Sequence, residues 1–322
     1  MKTKILYVLV SSEADVYLEQ ALVSAYSARR HNPDAVLTLL SDTDTLRSLP
    51  QRSPLLDSLY QEKVPVDFGA DVPPMTRSRL LKTGMRNYVD GDFLYIDADT
   101  LISGSLAEAD TLEADLAACL DLHSPFPSHP HYQPTVNMCR RLGFDVSGEP
   151  SYFNSGVMLV RDTPGNHAFF TLWQENYRKS ALADIRPDQP SLAQTDAALG
   201  HPVQVLSPEW NCQVQSGVRY LKDAKVFHYM CTYLSPEAGG QLYCLNDRKL
   251  LLRIREKGLE EVMPVVEDPM KGFAPVVRVT CGEDLSFFQT RRYRWLRGRY
   301  RKGKFSLMEW MLKVKDHLLG KV

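Results

Sequence analysis

Short apolar runs alternate along the first hundred residues with longer segments in which apolar positions recur every three or four residues. Residues 5–10, 36–40 and 93–96 are apolar runs of the length of buried strands. Residues 16–31 and 76–89 have apolar positions at helical spacing, and an Asn-Pro pair follows the first of these segments. Strands that alternate with helices in this way predict an α/β fold with a parallel sheet covered on both faces.

The pattern changes after about residue 113. Residues 116–120 (LAACL) and 156–160 (GVMLV) predict two more strands, and residues 165–180 predict a helix. Four prolines fall within residues 123–134, which predicts an irregular loop between the two strands. Residues 181–250 are less regular.

The first ten residues combine two lysines with a short apolar stretch, which superficially resembles a signal peptide. Glu13 and Asp15 follow without a small-residue cleavage site, so we predict a buried first strand instead. No apolar run approaches the roughly 20 residues that span a bilayer.

Composition narrows the class of protein. Of the 322 residues, 44% are hydrophobic and 24% are charged, which suits a large folded domain and excludes wholesale disorder. The formal net charge of −1 shows no overall excess of basic residues, so the chain as a whole lacks the charge typical of a nucleic-acid-binding protein. The six cysteines are scattered without a C-x-x-C pair, so we expect neither a zinc ribbon nor a disulfide framework, and we expect a reducing compartment.

Two carboxylates, Asp97 and Asp99, directly follow the apolar run FLYI at 93–96. Ligands of open α/β sheets bind outside the carboxyl ends of strands, and carboxylates are natural ligands of Mg²⁺ and Mn²⁺. Two carboxylates this close repel each other unless a cation or a basic group neutralises them. A divalent metal site and a solvated turn are both open at this point. A dehydrogenase is disfavoured, because no G-x-G-x-x-G motif follows the first strand.

Several segments resemble, in order, the motifs of glycosyltransferase family 8, which includes glycogenin and bacterial lipopolysaccharide galactosyltransferases. The resemblance spans about residues 3–235. The matching segments are SRLL at 78–81, YIDADTL at 95–101, YFNSGVML at 152–159, DQ at 188–189, WN at 210–211 and FHY at 227–229.

The resemblance implies a GT-A fold with a mixed sheet, and a retaining hexosyltransferase that moves a hexose from a UDP-sugar. The implied acceptor is a saccharide or glycolipid of lipopolysaccharide or polysaccharide biosynthesis. Asp97, Asp99 and His228 would hold Mn²⁺ or Mg²⁺, which neutralises the departing diphosphate. Arg79 would supply a second positive charge.

The resemblance also implies substrate-binding positions. Asp188 or Gln189 would lie near the reacting sugar carbon, and Asn154 would line the sugar pocket. Tyr17 would stack on the nucleoside base. The remaining implied substrate contacts are Ser11, Asp15, Lys82, Ala98 and Ser155.

The residues themselves leave alternatives open. A lone histidine in a strand, such as His228, is usually a buried packing residue. Asp188 precedes a predicted helix at 190–199 and fits an N-cap. Asp15 fits a cap of the first helix, and Tyr17 fits an ordinary half-buried helix position.

The sequence departs from the family after His228. The family continues with a glycine and then lysine-proline-tryptophan, whereas this chain continues Tyr229-Met230 and lacks the diphosphate-binding lysine. Either another basic residue such as Lys82 replaces it, or donor binding is weaker. A non-catalytic nucleotide-sugar-binding or scaffold protein is a further alternative.

The proline-rich segment 123–135 is predicted to lie over the donor site and to help form the acceptor pocket. Its aromatic and imidazole groups suit contacts with sugar. These groups belong to Phe126, His129, His131 and Tyr132.

The end of the chain is basic. Residues 291–304 contain eight Lys and Arg without an acid, which leaves −9 for the rest of the chain. Tyr293, Trp295 and Tyr300 are interleaved, and an amphipathic segment starts at Phe305. We predict binding to an anionic membrane surface rather than to nucleic acid. Packing on the catalytic domain or on a partner subunit is the alternative.

These patterns together predict a catalytic GT-A domain at 1–250, a C-terminal extension at 251–290 and a basic aromatic amphipathic tail at 291–322. We expect a cytoplasmic protein, peripheral on the inner face of the membrane.

Overall fold

A central sheet with helices on both faces forms most of the chain. The computed structural model describes residues 1–69, 71–214, 218–230, 243–273 and 290–301, together with residues 310, 311, 314, 315 and 318. The strands are β1 (Lys4–Leu9), β2 (Leu37–Asp42), β3 (Glu62–Val66), β4 (Phe93–Ile96), β5 (Thr100–Ile102), β6 (Leu116–Leu120), β7 (Phe153–Val160), β8 (Gln204–Val205), β9 (Cys212–Gln213) and β10 (Val226–His228). The helices are α1 (Tyr17–His31), α2 (Thr43–Arg52), α3 (Pro54–Leu59), α4 (Pro74–Thr83), α5 (Tyr132–Arg141), α6 (Pro164–Leu182), α7 (Gln189–Ala198), α8 (Arg248–Lys257), α9 (Met263–Glu267) and α10 (Arg291–Arg301).

The first strand lies inside the sheet. Successive side chains of a strand point to opposite faces. Ile5 and Tyr7 therefore join the core on the α1 side, and Leu6 and Val8 join the core beneath α6. All four are buried, which confirms the predicted buried first strand.

The main sheet has the strand order β3-β2-β1-β4-β7-β6-β8. Strands β3, β2, β1 and β4 pair in parallel, as the alternation of strands and helices predicts. Strand β7 runs antiparallel to both β4 and β6, so the whole sheet is mixed. The carboxyl ends of β1 and β4 lie side by side at one edge of the sheet.

A small second sheet, β5-β10-β9, is joined to that edge. In it β10 pairs antiparallel with β5, and His228 lies opposite Thr100. This pairing brings His228 next to the residue that follows Asp99 along the chain.

The segment predicted as an irregular proline-rich loop is partly helical, so that prediction is wrong from Tyr132 onward. Helix α5 begins at Tyr132, and Pro134 lies in its first turn. The first four N–H groups of a helix have no partner within it, so a proline there removes no hydrogen bond.

The chain divides into two structural units. One comprises Met1–Leu234 and Gln241–Ala274, and the other comprises Ser235–Gly240 and Pro275–Val322. In the second unit the structure describes α10 and a few later positions, so most of the predicted amphipathic segment from Phe305 lies outside the described residues. The predicted boundaries at residues 250 and 290 stay predictions.

Two further observations concern the described residues. None of the described helices has the length and apolarity needed to cross a bilayer. Cys119, Cys139, Cys212 and Cys244 are free thiols, and the other two cysteines lie outside the described residues.

Candidate functional site

The loop after β4 is fixed between the two sheets. The Asp97 N–H donates to the Gly156 carbonyl of β7 at 2.7 Å, and the Tyr229 N–H donates to the Asp99 carbonyl at 3.2 Å. The carboxylates of Asp97 and Asp99 and the imidazole of His228 each place one ligand atom within 4.8 Å of the others. The structure thus brings the three predicted metal ligands into one group.

The His228 ring is held from both sides. Its Nδ1 lies 2.9 Å from the Asn211 side-chain oxygen, and its Nε2 lies 3.3 Å from Asp99 Oδ1. Because an amide oxygen can only accept, Nδ1 carries a proton and Nε2 is directed at Asp99. Burial lowers the pKa of His228, but the carboxylates of Asp99 and Asp97 together outweigh burial, so the net pKa is raised. Asn211 therefore positions the His228 ring. The WN motif identifies Asn211 in the sequence but does not predict this role.

Gly156 of β7 makes room for this ring. A Cβ at position 156 would lie 2.3 Å from His228 Cε1 and 2.9 Å from Asn154 Oδ1. Real Cβ atoms do not approach other atoms so closely, so any other residue would displace the imidazole. The glycine of the FNSG segment is therefore explained by the close approach of the histidine.

A buried chain of polar contacts continues from Asn211. Its amide donates to Asn154 Oδ1 at 2.8 Å, and the Asn154 amide donates to Asp121 Oδ1 at 2.9 Å. Asp121 Oδ2 lies 2.9 Å from Nε2 of the buried His129. Asn154 is thus buried and makes three hydrogen bonds within the protein, because its Oδ1 also accepts from the Gly156 N–H. Its predicted contact with sugar stays a prediction.

Two of the groups expected to contact the acceptor are in the core. Phe126 and His129 are buried, so they cannot meet a saccharide in this structure. His131 is exposed and Tyr132 is half-buried. Asp121 directly follows β6, just as Asp97 directly follows β4. The motifs do not predict Asp121, but its position at the end of a strand is a signal in the sequence.

Lys82 of α4 neutralises Asp97. Its ammonium nitrogen lies 3.0 Å from both Asp97 oxygens and 3.5 Å from Asp188 Oδ2, with the side chain 4% exposed. The Tyr95 hydroxyl also donates to Asp97. The pKa of Tyr95 is raised mainly by burial and, to a smaller extent, by the negative charge of Asp97. The Lys82 charge is directed at two carboxylates, and its predicted contact with a diphosphate stays a prediction.

Asp188 is a buried carboxylate of the site, whereas Asp97 and Asp99 are partly exposed. Arg79 lies 3.3 Å from its Oδ1, and the Ser155 hydroxyl donates to its Oδ2 at 2.6 Å. Burial would raise the pKa of Asp188, but the charges of Lys82 and Arg79 and the Ser155 hydrogen bond outweigh it and lower the pKa well below its usual range. The same carboxylate raises the pKa of Arg79.

The alternative of Asp188 as a simple helix cap is wrong for its side chain. Asp188 occupies the N-cap position of α7, but its carboxylate makes no capping hydrogen bond and faces the two cations. The next residue, Gln189, donates from its amide to the Phe153 carbonyl of β7 at 3.0 Å. Ala98, between the carboxylates of Asp97 and Asp99, is partly buried against the core.

The remaining predicted residues are Ser11, Asp15 and Tyr17. Ser11 and Asp15 lie in the segment 11–16 between β1 and α1, which we call the first turn, and Tyr17 is the first residue of α1. The Asp15 carboxylate accepts from the Ser11 hydroxyl at 2.7 Å, from the Ser12 N–H at 2.6 Å and from the Tyr17 N–H at 3.1 Å. Val16 rather than Asp15 occupies the N-cap position of α1. The Tyr17 ring is 44% exposed beside a pocket of about 250 Å³.

Asp188→Asn should lower the free energy of unfolding by about 3 kcal/mol at pH 7, because it removes the anionic partner of Arg79 and one of the two carboxylates that pair with the buried Lys82. A carboxyl with a lowered pKa contributes stability above its ordinary pKa of 3.8 and loses it as the pH falls further. Urea unfolding at several pH values should show the same deficit at pH 7 and pH 5, and a smaller one below pH 3.8. Asp184→Asn, at a side chain that is 83% exposed, is the control. A deficit that already shrinks between pH 7 and pH 5 would contradict the lowered pKa.

If His228 is a metal ligand as predicted, Gly156→Ala should weaken Mn²⁺ binding about 10- to 100-fold, because the added methyl displaces its imidazole. Isothermal titration with Mn²⁺ measures the change. Gly104→Ala is the matched control, since a Cβ at that position meets no atom within 4 Å. Equal Mn²⁺ affinity of the two variants would refute the role assigned to Gly156.

Two solved glycosyltransferase structures are similar to this chain. The galactosyltransferase LgtC, in complex with donor and acceptor sugar analogs, matches with a TM-score of 0.50 at 16% identity, over 79% of this chain and 95% of that chain. The apo form of mouse xyloside xylosyltransferase 1 gives a TM-score of 0.49 at 17% identity, over 73% of this chain and 100% of that chain. No protein-family model matches the chain, and no curated protein does. The mixed sheet flanked by helices and its match to LgtC confirm the predicted GT-A fold.

Proposed function

We propose that this chain is a metal-dependent glycosyltransferase that moves a hexose from a UDP-sugar to a saccharide acceptor with retention of configuration. The observation that carries the proposal is the group of Asp97, Asp99 and His228 at the carboxyl end of β4. The GT-A fold adds support, because LgtC has the same fold and was solved with donor and acceptor sugar analogs.

The donor set fits a divalent cation. Two carboxylates provide the hard oxygen ligands that Mg²⁺ and Mn²⁺ share, and the imidazole of His228 favours the transition metal Mn²⁺. Asn211 holds that imidazole so that Nε2 is directed toward Asp99. A bound cation supplies neutralisation of the charge that develops on a departing diphosphate.

The residues around Asp188 suit the sugar half of the donor. Arg79 and Lys82 keep the Asp188 carboxylate ionised at neutral pH. In this proposal the carboxylate stabilises the positive charge that develops on the reacting sugar carbon. Gln189, at the start of α7, lies beside it in the chain and is held by the Phe153 carbonyl.

One observation favours a non-catalytic nucleotide-sugar-binding protein as the second candidate. The diphosphate-binding lysine of the resembled family is missing, and the nearby Lys82 ammonium already pairs with Asp97 and Asp188. The residues after Met230, where the sequence departs from the family, lie outside the described part of the chain.

Asp99→Asn should reduce Mn²⁺-dependent hydrolysis of the donor by at least about 100-fold, because it removes one anionic ligand of the cation. We would measure release of UDP from a panel of nucleotide-sugars, with and without Mn²⁺. Asp184→Asn, at an exposed position, should retain the full rate.

Full metal-dependent activity of Asp99→Asn would refute the metal assignment. Binding of a nucleotide-sugar by the wild-type chain without turnover of any donor in the panel would identify the non-catalytic candidate.

For the acceptor, we propose a lipid-linked saccharide at an anionic membrane surface to which the tail at 291–322 binds. Helix α10 carries six arginines and no acidic residue, and Arg299 stacks on the Trp295 ring at 4.4 Å. Trp295 is 53% exposed, and Trp310, Met311 and Leu318 are also exposed. Basic residues with exposed aromatic and apolar side chains suit the interface of an anionic bilayer. Such binding would place the protein peripherally on the inner face of the membrane.

Truncation after Thr290 should abolish sedimentation with anionic liposomes and leave donor hydrolysis by water nearly unchanged. Binding of the full chain should weaken with salt, because exposed charges are screened over about 8 Å at physiological ionic strength. Neutral liposomes are the control. Equal binding of both chains would refute the tail as an anchor, and loss of hydrolysis would indicate a tail that packs on the catalytic domain.

A further inference from the structure

The first turn, residues 11–16, depends on side chains from distant parts of the chain. It contains no glycine and lies between β1 and α1. Within the turn, Asp15 organises Ser11 and Ser12. The backbone carbonyls of the turn accept hydrogen bonds from arginines of α2 and α8.

Arg255 of α8 makes the most extensive of these contacts. Its Nε and one terminal nitrogen bond both carboxylate oxygens of Glu19, at 2.6 and 3.1 Å. Its Nη1 donates to the Glu13 carbonyl at 2.9 Å, and its Nη2 donates to the Asp15 carbonyl. The Arg255 guanidinium therefore joins residues 11–16 to Glu19, near the start of α1. Only the planar fork of arginine can make this set of contacts, so lysine is not equivalent.

A second arginine holds the other side of the turn. Arg52, the last residue of α2, donates to the Ser11 carbonyl at 2.9 Å, to the Ser11 hydroxyl at 3.1 Å and to the Ser12 carbonyl at 2.6 Å. Arg248 of α8 adds a hydrogen bond to the Ala14 carbonyl at 2.9 Å.

The same helix closes the pocket beside Tyr17. The pocket of about 250 Å³ has two walls. The first turn and α1 form one wall, and α8 together with Asn246 forms the other. The first wall comprises Asp15, Val16, Tyr17 and Gln20, and the second comprises Asn246, Arg248 and Leu251.

The backbone of a single residue, Tyr229, connects this pocket to Asp99. The Asn246 amide donates to the Tyr229 carbonyl at 3.1 Å, and the Tyr229 N–H donates to the Asp99 carbonyl. Tyr229 therefore contacts both Asn246 at the pocket and the loop that carries Asp99.

We propose that α8 forms the second wall of the donor's nucleoside pocket and that Arg255 is the positioning residue that shapes the first. The proposal rests on the proposed function and extends it to residues far from the metal site in the sequence. Without Arg255, the carbonyls of Glu13 and Asp15 and the carboxylate of Glu19 lose their partner, and the wall that carries Tyr17 shifts.

The test compares two ligands that share the diphosphate and differ in the nucleoside. Titration calorimetry with Mn²⁺ would measure binding of UDP and of pyrophosphate to the wild-type chain and to Arg255→Gln. We expect UDP binding to weaken about tenfold and pyrophosphate binding to stay unchanged. Arg253→Gln is the matched control, because Arg253 lies on the same helix and pairs with Glu261.

Two further variants keep the test decisive if Arg255→Gln folds poorly. Arg255→Lys retains the charge without the fork and should still weaken UDP binding selectively. Arg248→Gln removes one hydrogen bond at the exposed edge of the pocket and should weaken UDP binding about two- to threefold.

Other outcomes would overturn the proposal. Equal UDP affinity of the Arg255 and Arg253 variants, or equal loss of UDP and pyrophosphate binding, would show that α8 has only a general structural role. Failure of the wild-type chain to bind UDP or any other nucleoside diphosphate would overturn the proposed function as well.

Discussion

Repulsion among three carboxylates at one sheet edge is the constraint on which the rest of the site depends. Asp97, Asp99 and Asp188 lie at the ends of elements packed around β4, and each is matched by a basic group. Lys82 lies between Asp97 and Asp188, and His228 faces Asp99. Partial burial strengthens these attractions, because the local dielectric is lower than that of water. Only a fold that brings α4, α7 and β10 to the end of β4 can keep these charges together.

The neutral groups around that cluster serve mainly to hold it in place. Gly156 leaves space for the His228 ring, and Asn211 determines which ring nitrogen carries a proton. Asn154 links Asn211 to Asp121 inside the core. A buried polar chain of this kind is stable only when its members are paired, so its geometry is well defined. Asn154, which the family motif marks as a sugar contact, is therefore also part of this support.

The pattern of apolar residues along the sequence predicts the main strands well. It predicts contacts between side chains that are distant in the sequence poorly. The apolar runs predict β4 and β6 with their observed bounds, because buried strands in such sheets are apolar on both faces. The position of Asp97 and Asp99 at a strand end, together with the family motifs, predicts the grouping with His228. The roles of Asn154, Asp121 and Arg255 could not be predicted, because a hydrogen bond between distant side chains leaves no periodic signal. The prolines of the segment 123–135 conceal α5, because proline usually breaks a helix, whereas Pro134 lies in the first turn of α5.

The contact between Arg255 and the first turn has a consequence for the order in which the protein matures. Asp15 and Arg255 are separated by 240 positions. A ribosome that adds about 5–20 residues per second needs on the order of ten seconds or more between them. During that interval β1 and its neighbours can pair, while the first turn still lacks its partner. The nascent chain would thus acquire its sheet before the first turn acquires its final shape, and chains interrupted before α8 would be folded in part, with one wall of the pocket beside Tyr17 missing.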